Sequence, residues 1–193
     1  MKDINWQAVV AGVGGQGVLF VTRVLAEAAR QRTKRILISE VHGMAQRGGA
    51  VVSHLKAGDF AGPLVASNQA DILLSLEPGE AVRNLAFLRK GGRLVVNTAG
   101  YGFLSRKALD ALARHKVEIF VADASTLARI NGHARAANVV LLAAAAAKGS
   151  LPFSAKAIHG VLMSLTPPAR REANELLFKA GADLANTETT PAI

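Results

Sequence analysis

The chain has 193 residues, half of them hydrophobic and 19% charged, which is enough apolar material to bury a substantial core in one domain. It has no cysteine, which excludes disulfides, thiolate nucleophiles, thiolate zinc sites and cysteine-held iron–sulfur clusters on this polypeptide. A formal net charge of +9 attracts anions, but the basic residues are dispersed and the densest run, ARQRTKR (29–35), is short, so a solvated helix end is favoured over a nucleic-acid surface.

No run reaches the ~18 uncharged apolar residues of a membrane span. The start MKDINWQAVVAG shows no signal-peptide cleavage region, so a soluble cytoplasmic protein without membrane or nucleic-acid partners is expected.

The first element in chain order is QAVVAG (7–12), a short apolar strand that stops in glycines. VLFVTRVLAEAARQR (18–32) comes next, with Val18, Val21, Leu25 and Ala28 at helical spacing. KRILISE (34–40) reads as a second strand of the fully buried type, and the β-α-β unit implies parallel strands with a right-handed crossover. GAVVSHLKAG (49–58) forms a third strand whose alternation suggests a more exposed or edge position.

ADILLSL (70–76), GGRLVVNT (91–98) and KVEIFVAD (116–123) are further strands, with GEAVRNLAFLRK (79–90) and SRKALDALARH (105–115) as helices between them. From about residue 124 the pattern becomes helical, through ARAANVVLLAAAAAKG (134–149), SAKAIHGVLMSL (154–165) and PPARREANELLFKAGADL (167–184). Pro167 and Pro168 suit the first turn of the last helix, where a missing N–H costs little. The expected fold is α/β and Rossmann-like, a mainly parallel sheet flanked by helices with a helical C-terminal part. A single domain spans 1–184, and ANTETTPAI (185–193) is a flexible tail.

The turn GVGGQG carries the first mechanism. Gly12, Gly14 and Gly17 fit G-x-G-x-x-G after a strand and before a helix, a context in which backbone N–H groups and the positive helix end converge on an anion. A nucleoside-triphosphate loop needs Lys and then Ser or Thr next, and Val18 and Leu19 stand there instead. Glu40 ends the second strand about 20 residues further on, where an acidic residue binds ribose in dinucleotide enzymes. A stand-alone NAD(P)-binding oxidoreductase is therefore the alternative reading, although no second domain for a hydride acceptor is evident.

The loop EVHGMAQRGG (40–49) adds an unusual cluster. Together with GVGGQGVLFVTRVLAEAA, Gly62-Pro63-Leu64, Ala70-Asp71-Ile72-Leu73 and Asn138, it resembles the gamma-type domain of 2-oxoacid:ferredoxin oxidoreductases, and most of all the small subunit of the indolepyruvate branch. The resemblance implies a non-catalytic small subunit that completes a larger enzyme. In such an enzyme a large partner carries thiamine diphosphate, magnesium and [4Fe-4S] clusters, and decarboxylates an aryl pyruvate to its acyl-CoA while reducing ferredoxin. This chain has neither cluster cysteines nor a Gly-Asp-Gly…Asn thiamine motif, so it is expected to hold no cofactor alone and to be inactive alone. The coenzyme A or thiamine site is the place it could line in the assembly. A homodimer of the isolated chain is also an expectation.

The candidate binding residues are Gly12, Gly14, Gly15, Gln16, Gly17, Glu40, Gln46, Arg47, Gly48 and Gly49, with no catalytic residue and no metal ligand. Arg47 offers a planar fork for phosphate or carboxylate beside glycines that permit close approach. Gln46 stands next to it, Glu40 binds a hydroxyl or pairs with Arg47, and Met44 plugs an interface or packs the loop. His42 reads as structural, and His54, His115, His133 and His159 lack metal-ligand spacing. Ser39 and Ser53 lack a nucleophile elbow. Asn97 and Thr98 fall at the strand end where ligands collect in parallel sheets, or cap the next segment.

Overall fold

A computed structural model describes residues 4–43 and 48–187. Six strands form one sheet, and helices cover both of its faces. In chain order the elements are β1 (Trp6–Val13), α1 (Val18–Arg30), β2 (Ile36–His42), β3 (Ala50–Ala57), β4 (Ala70–Ser75), α2 (Pro78–Asn84), β5 (Leu88–Asn97), α3 (Arg106–Arg114), β6 (Glu118–Ala122), α4 (Ala124–Ile130), α5 (Ala137–Ala147), α6 (Ala155–Leu165) and α7 (Arg171–Thr187). The sheet order is β2-β3-β1-β4-β5-β6. β1, β4, β5 and β6 are parallel neighbours, and β3 is antiparallel to both β1 and β2.

This order corrects two expectations about the strands. β2 points the same way as β1, as a β-α-β unit requires, but the two do not touch, because β3 doubles back from β2 and enters between them. A short connection can join only antiparallel neighbours, and residues 43–49 are too few for a crossover. The strand expected to be buried is therefore the edge: Ile38 is 42% exposed and Val41 51% exposed. The strand expected at the edge, β3, is interior, with Ser53, His54, Leu55 and Ala57 buried.

A third correction concerns residues 79–90. α2 stops at Asn84, whose side-chain amide donates to Glu80 O at 2.8 Å, and a single 3-10 turn (Leu85–Phe87) leads into β5 at Leu88. Asn favours such local bonds over helix propagation. The pairing of β5 with β4 shifts register between Leu88 and Arg93, which accommodates Gly91 at φ 68°.

Alternation along β1 sends Ala8 and Val10 to one face and Val9 and Ala11 to the other. On the first face lie α1, α5, α6 and α7; on the second, α2 and α3 with Leu104, Leu112 and Val117. Full burial of one such Val or Leu contributes roughly 1.5–3 kcal/mol. The Ala-rich run becomes α5, buried from Asn138 through Ala146. Small residues let neighbours come close on all sides of it, and α7 crosses α5 at Gly181, where an added Cβ would meet the Val140 carbonyl oxygen and stand 3.0 Å from Ala143 Cβ. α7 runs into the segment expected to be a loose tail, with Ala185 buried; residues 188–193 lie outside the described residues.

His54 is buried on β3, edge-on to Phe87 at 5.1 Å between ring centroids, and its Nδ1 accepts from Val65 N at 3.3 Å. Burial, and secondarily the Lys56 charge, hold its pKa below the usual 6.5, so it folds as the neutral ring. Ser53 Oγ is buried with no hydrogen-bond partner among the described residues.

The packing generates two predictions. Gly181→Ala forces backbone apart at the α5/α7 crossing and lowers unfolding free energy by about 1–3 kcal/mol in urea titration. The unfolded chain binds a proton at His54 as pH falls below about 6.5 while the folded chain resists it, so His54 makes stability fall with pH in that range. Urea titrations between about pH 7.5 and 5 should therefore show the stability gap between wild type and His54→Gln narrowing as pH drops.

Candidate functional site: a cleft at the glycine turn

β1 ends where β3 leaves it on one side and β4 on the other, so the ends of β1 and β4 open a crevice at a reversal of strand order, the place where α/β sheets collect ligands. The glycine turn fills the floor of this crevice. Gly12 has no room for a side chain: a Cβ would lie 2.8 Å from Gln16 Oε1 and 2.9 Å from Val18 Cγ2. Gly15 and Gly17 take φ of 93° and 84°, which glycine adopts at little cost. Gly14 N donates to Gly49 O at 2.9 Å, with Gly48 alongside, so the turn and the returning end of the 43–49 loop form one unit.

Gln16 serves as a brace. Its Oε1 accepts from Val13 N at 2.9 Å and its Nε2 donates to Glu77 Oε2 at 3.0 Å, which ties the turn to the segment after β4. The structure thus brings Gly12, Gly14, Gly15, Gln16, Gly17, Gly48 and Gly49 together. Glu40 is elsewhere: it pairs with Ser53, which pairs with Val10, so two strand spacings, about 10 Å, separate it from β1. Its side-chain neighbour is His42, Nε2 to Oε2 3.5 Å. Gln46 and Arg47, with Met44, lie outside the described residues.

Above the turn lies a cleft of about 690 Å³, walled by Gly15–Gly17 and Phe20, by residues 132–136 with Asn138, and by Pro167, Ala169, Arg170, Ala173 and Asn174. An alcove of about 230 Å³ shares Gly15, Gln16, Arg135 and Asn138 with it and reaches Asn97 and Ser125 at the sheet's C-terminal edge. Asn97 uses its polar groups for structure there: its amide donates to Leu76 O at 3.1 Å and Ser125 Oγ at 2.8 Å, and its oxygen accepts from Ser125 N at 3.0 Å.

Three helices begin at the cleft: α7, which has Glu172 in its first turn, and the pair α1 and α5. Neither α1 nor α5 has a side-chain N-cap bond or an acidic residue in its first turn, whereas α3, α4 and α6 are capped by Ser105, Asp123 and Ser154. The cleft therefore meets two positive helix ends that no N-cap side chain or first-turn acid offsets. Asn138, 9% exposed, packs against Gly17 so closely that a Cβ there would collide with its amide nitrogen. Asn138 Oδ1 accepts from Val139 N at 3.0 Å, while its Nδ2 has no acceptor among the described residues. Arg135 and Arg170 stand at the walls without a carboxylate partner among the described residues, and no Asp or Glu lines the cleft.

Sequence reasoning did not find Arg135, Arg170 or the 132–136 segment. The signal available was weak: a glycine, Gly132, before a helix that starts without Ser, Thr or Asp at its cap. Among the described residues no three His, Cys, Asp or Glu converge as a metal site would require, and no helix is long and apolar enough to cross a membrane.

The chain matches the family model of pyruvate ferredoxin/flavodoxin oxidoreductase over residues 7–184. It is 33% identical over 198 aligned residues, covering 96% of this chain and 97% of the relative, to the indolepyruvate oxidoreductase subunit IorB of Thermococcus kodakarensis. It is 35% identical over 157 residues, 75% of this chain and 78% of the relative, to the subunit of the same name from Archaeoglobus fulgidus. Among solved structures, a keto/oxoacid ferredoxin oxidoreductase gamma subunit from Geobacter sulfurreducens aligns with TM-score 0.69 at 26% identity, over 95% of this chain and 99% of that one. A 2-oxoglutarate:ferredoxin oxidoreductase from Magnetococcus marinus shares the fold, with TM-score 0.74 at 16% identity over 97% of this chain and 32% of that one. None of these relatives supports the dinucleotide reading, and the insertion of β3 removes its geometric basis by carrying Glu40 away from the glycine turn. The chain belongs to the pyruvate ferredoxin/flavodoxin oxidoreductase family and is the small, gamma-type subunit of a 2-oxoacid:ferredoxin oxidoreductase.

Proposed function

We propose that this subunit seats the phosphate-bearing part of coenzyme A in the cleft above the glycine turn, in a cytoplasmic enzyme whose 2-oxo acid is indolepyruvate or a related aryl pyruvate. The substrate class rests on the names of the relatives that match nearly the whole chain. Thiamine diphosphate with magnesium supplies the decarboxylation chemistry and [4Fe-4S] clusters take the electrons to ferredoxin, all on a large partner subunit. Residues 1–184 act as one gamma-type domain in that assembly.

The observation that carries the coenzyme A reading is the Asn138 amide nitrogen, without an acceptor among the described residues, between two helix ends that lack an N-cap side chain, with Arg135 and Arg170 also lining the cleft. Such a donor set suits phosphate oxygens, which accept hydrogen bonds and carry charge. Thiamine diphosphate fits less well, because its magnesium needs carboxylate or carbonyl oxygens and no acid lines the cleft. A coenzyme A-bound structural relative from Magnetococcus marinus is consistent with the assignment. The chain's own residues do no bond chemistry. Gln16 and Glu77 hold the turn in shape, Gly17 lets the Asn138 amide reach the ligand, and the two arginines neutralise its charge.

The test is steady-state kinetics of the assembled enzyme. Arg135→Ala should raise the KM for coenzyme A about tenfold, a loss of ~1.4 kcal/mol, with kcat and the KM for the 2-oxo acid nearly unchanged. Asn138→Asp keeps the shape but turns a carboxylate toward the phosphates, and should raise it further. Unchanged coenzyme A kinetics in both variants would remove the ligand from this cleft.

A further inference from the structure

β2 is an edge strand with little of the protection that edges normally carry. It has seven residues with no Lys, Arg or Pro, and it exposes Ile38 and Val41. Natural edges of this length are usually interrupted by such residues or covered, because a row of unpaired N–H and C=O groups is a template for another strand.

The backbone bonds fix which groups are free. Gly43 N donates to Ala50 O and Gly58 N donates to Arg35 O, so the odd-numbered residues 35 to 43 turn their polar groups toward β3. By the antiparallel alternation, Ile36, Ile38, Glu40 and His42 turn theirs outward. A second copy related by a two-fold axis can use all four only in a register centred on Ser39, which sets Ile36 against His42′ and Ile38 against Glu40′. The register one step along, centred on Glu40, would put Glu40 against Glu40′ and waste Ile36. Its opposite, centred on Ile38, would waste His42.

The favoured register also pairs side chains. Leu37 and Val41 share the sheet face of Lys56 and Val52, and two-fold pairing brings Leu37 to Val41′ and Val41 to Leu37′, two apolar pairs that flank Ser39 and Ser39′. The one unfavourable contact is diagonal, Glu40 near Glu40′, and each carboxylate has its own His42 at 3.5 Å. We infer that β2 is a homodimerisation edge, on which a second copy of this chain adds its β2 antiparallel about Ser39, joining the two six-stranded sheets into one continuous sheet. The interface is isologous, so it closes on itself and does not grow into a fibre. It stands independently of the coenzyme A reading, since neither β2 nor its neighbour across the axis lines the cleft.

The natural absence of cysteine makes a direct test possible. At the centre of the proposed register Ser39 faces Ser39′ as a non-hydrogen-bonded pair, with Cα atoms about 4.5 Å apart, within reach of a disulfide. The full-length chain carrying Ser39→Cys should give a covalent dimer on mild oxidation, while Lys90→Cys, exposed on β5, should cross-link far more slowly. Sedimentation velocity should show the wild type as a dimer, Val41→Lys weakening it about tenfold or more with unchanged circular dichroism, and Glu40→Gln tightening it. A wild-type monomer, or equal cross-linking of the two cysteine variants, would overturn the inference. So would a chain that is monomeric alone and has β2 amides protected from exchange only when the large subunit is added; the edge would then belong to that partner.

Discussion

The contact on which the molecule turns is the seating of Gly17 against Asn138. Because Gly17 has no Cβ and takes a left-handed conformation, the start of α1 can lie directly on the side chain at the start of α5. Two helix N-termini then meet at one point, both without the side-chain cap that would have quenched them. The surrounding structure maintains that approach: Gly12 lets Gln16 fold under the turn, Glu77 anchors Gln16, and Gly181 lets α7 hold α5 down from the other side. A basic cleft, with no Asp or Glu among the described residues that line it, results from where those helices begin.

The reversal at β3 has a separate consequence. By entering between β1 and β2 it takes the acidic end of β2 out of reach of the glycine turn, so a sequence pattern shared with dinucleotide enzymes is put to a different use. The same reversal brings Gly48 and Gly49 back beside Gly14 and leaves β2 at the edge of the sheet. One topological choice therefore separates the cleft at the glycine turn from the β2 edge of the sheet.

Much of this was readable from local pattern. The strand, turn and helix around GVGGQG, the parallel strands ADILLSL and KVEIFVAD and the Ala-rich buried helix rest on residues close together in the chain, where periodicity and glycine placement speak directly, and the gamma-type resemblance rests on short motifs spread from Gly12 to Asn138. Strand order was not readable, because which strand becomes the edge depends on pairing between segments. KRILISE is as apolar as an interior strand yet lies outermost, and GAVVSHLKAG alternates although both its neighbours cover it. Arg135 and Arg170 carry no motif of their own and become site residues only because α5 and α7 start at the turn. Asn138 was visible through the family resemblance, but the seating of its amide nitrogen against Gly17 is a fact of packing.

The central claim is that this polypeptide shapes and charges a ligand cleft while bond-making and electron transfer belong to another chain. Reconstitution tests it most directly: aryl pyruvate, coenzyme A and oxidised ferredoxin are supplied to the purified chain, to the large subunit, and to the two combined, and ferredoxin reduction is measured. The expected result is no reduction by this chain alone and full coenzyme A-dependent turnover by the combination. Turnover by this chain alone would contradict the claim.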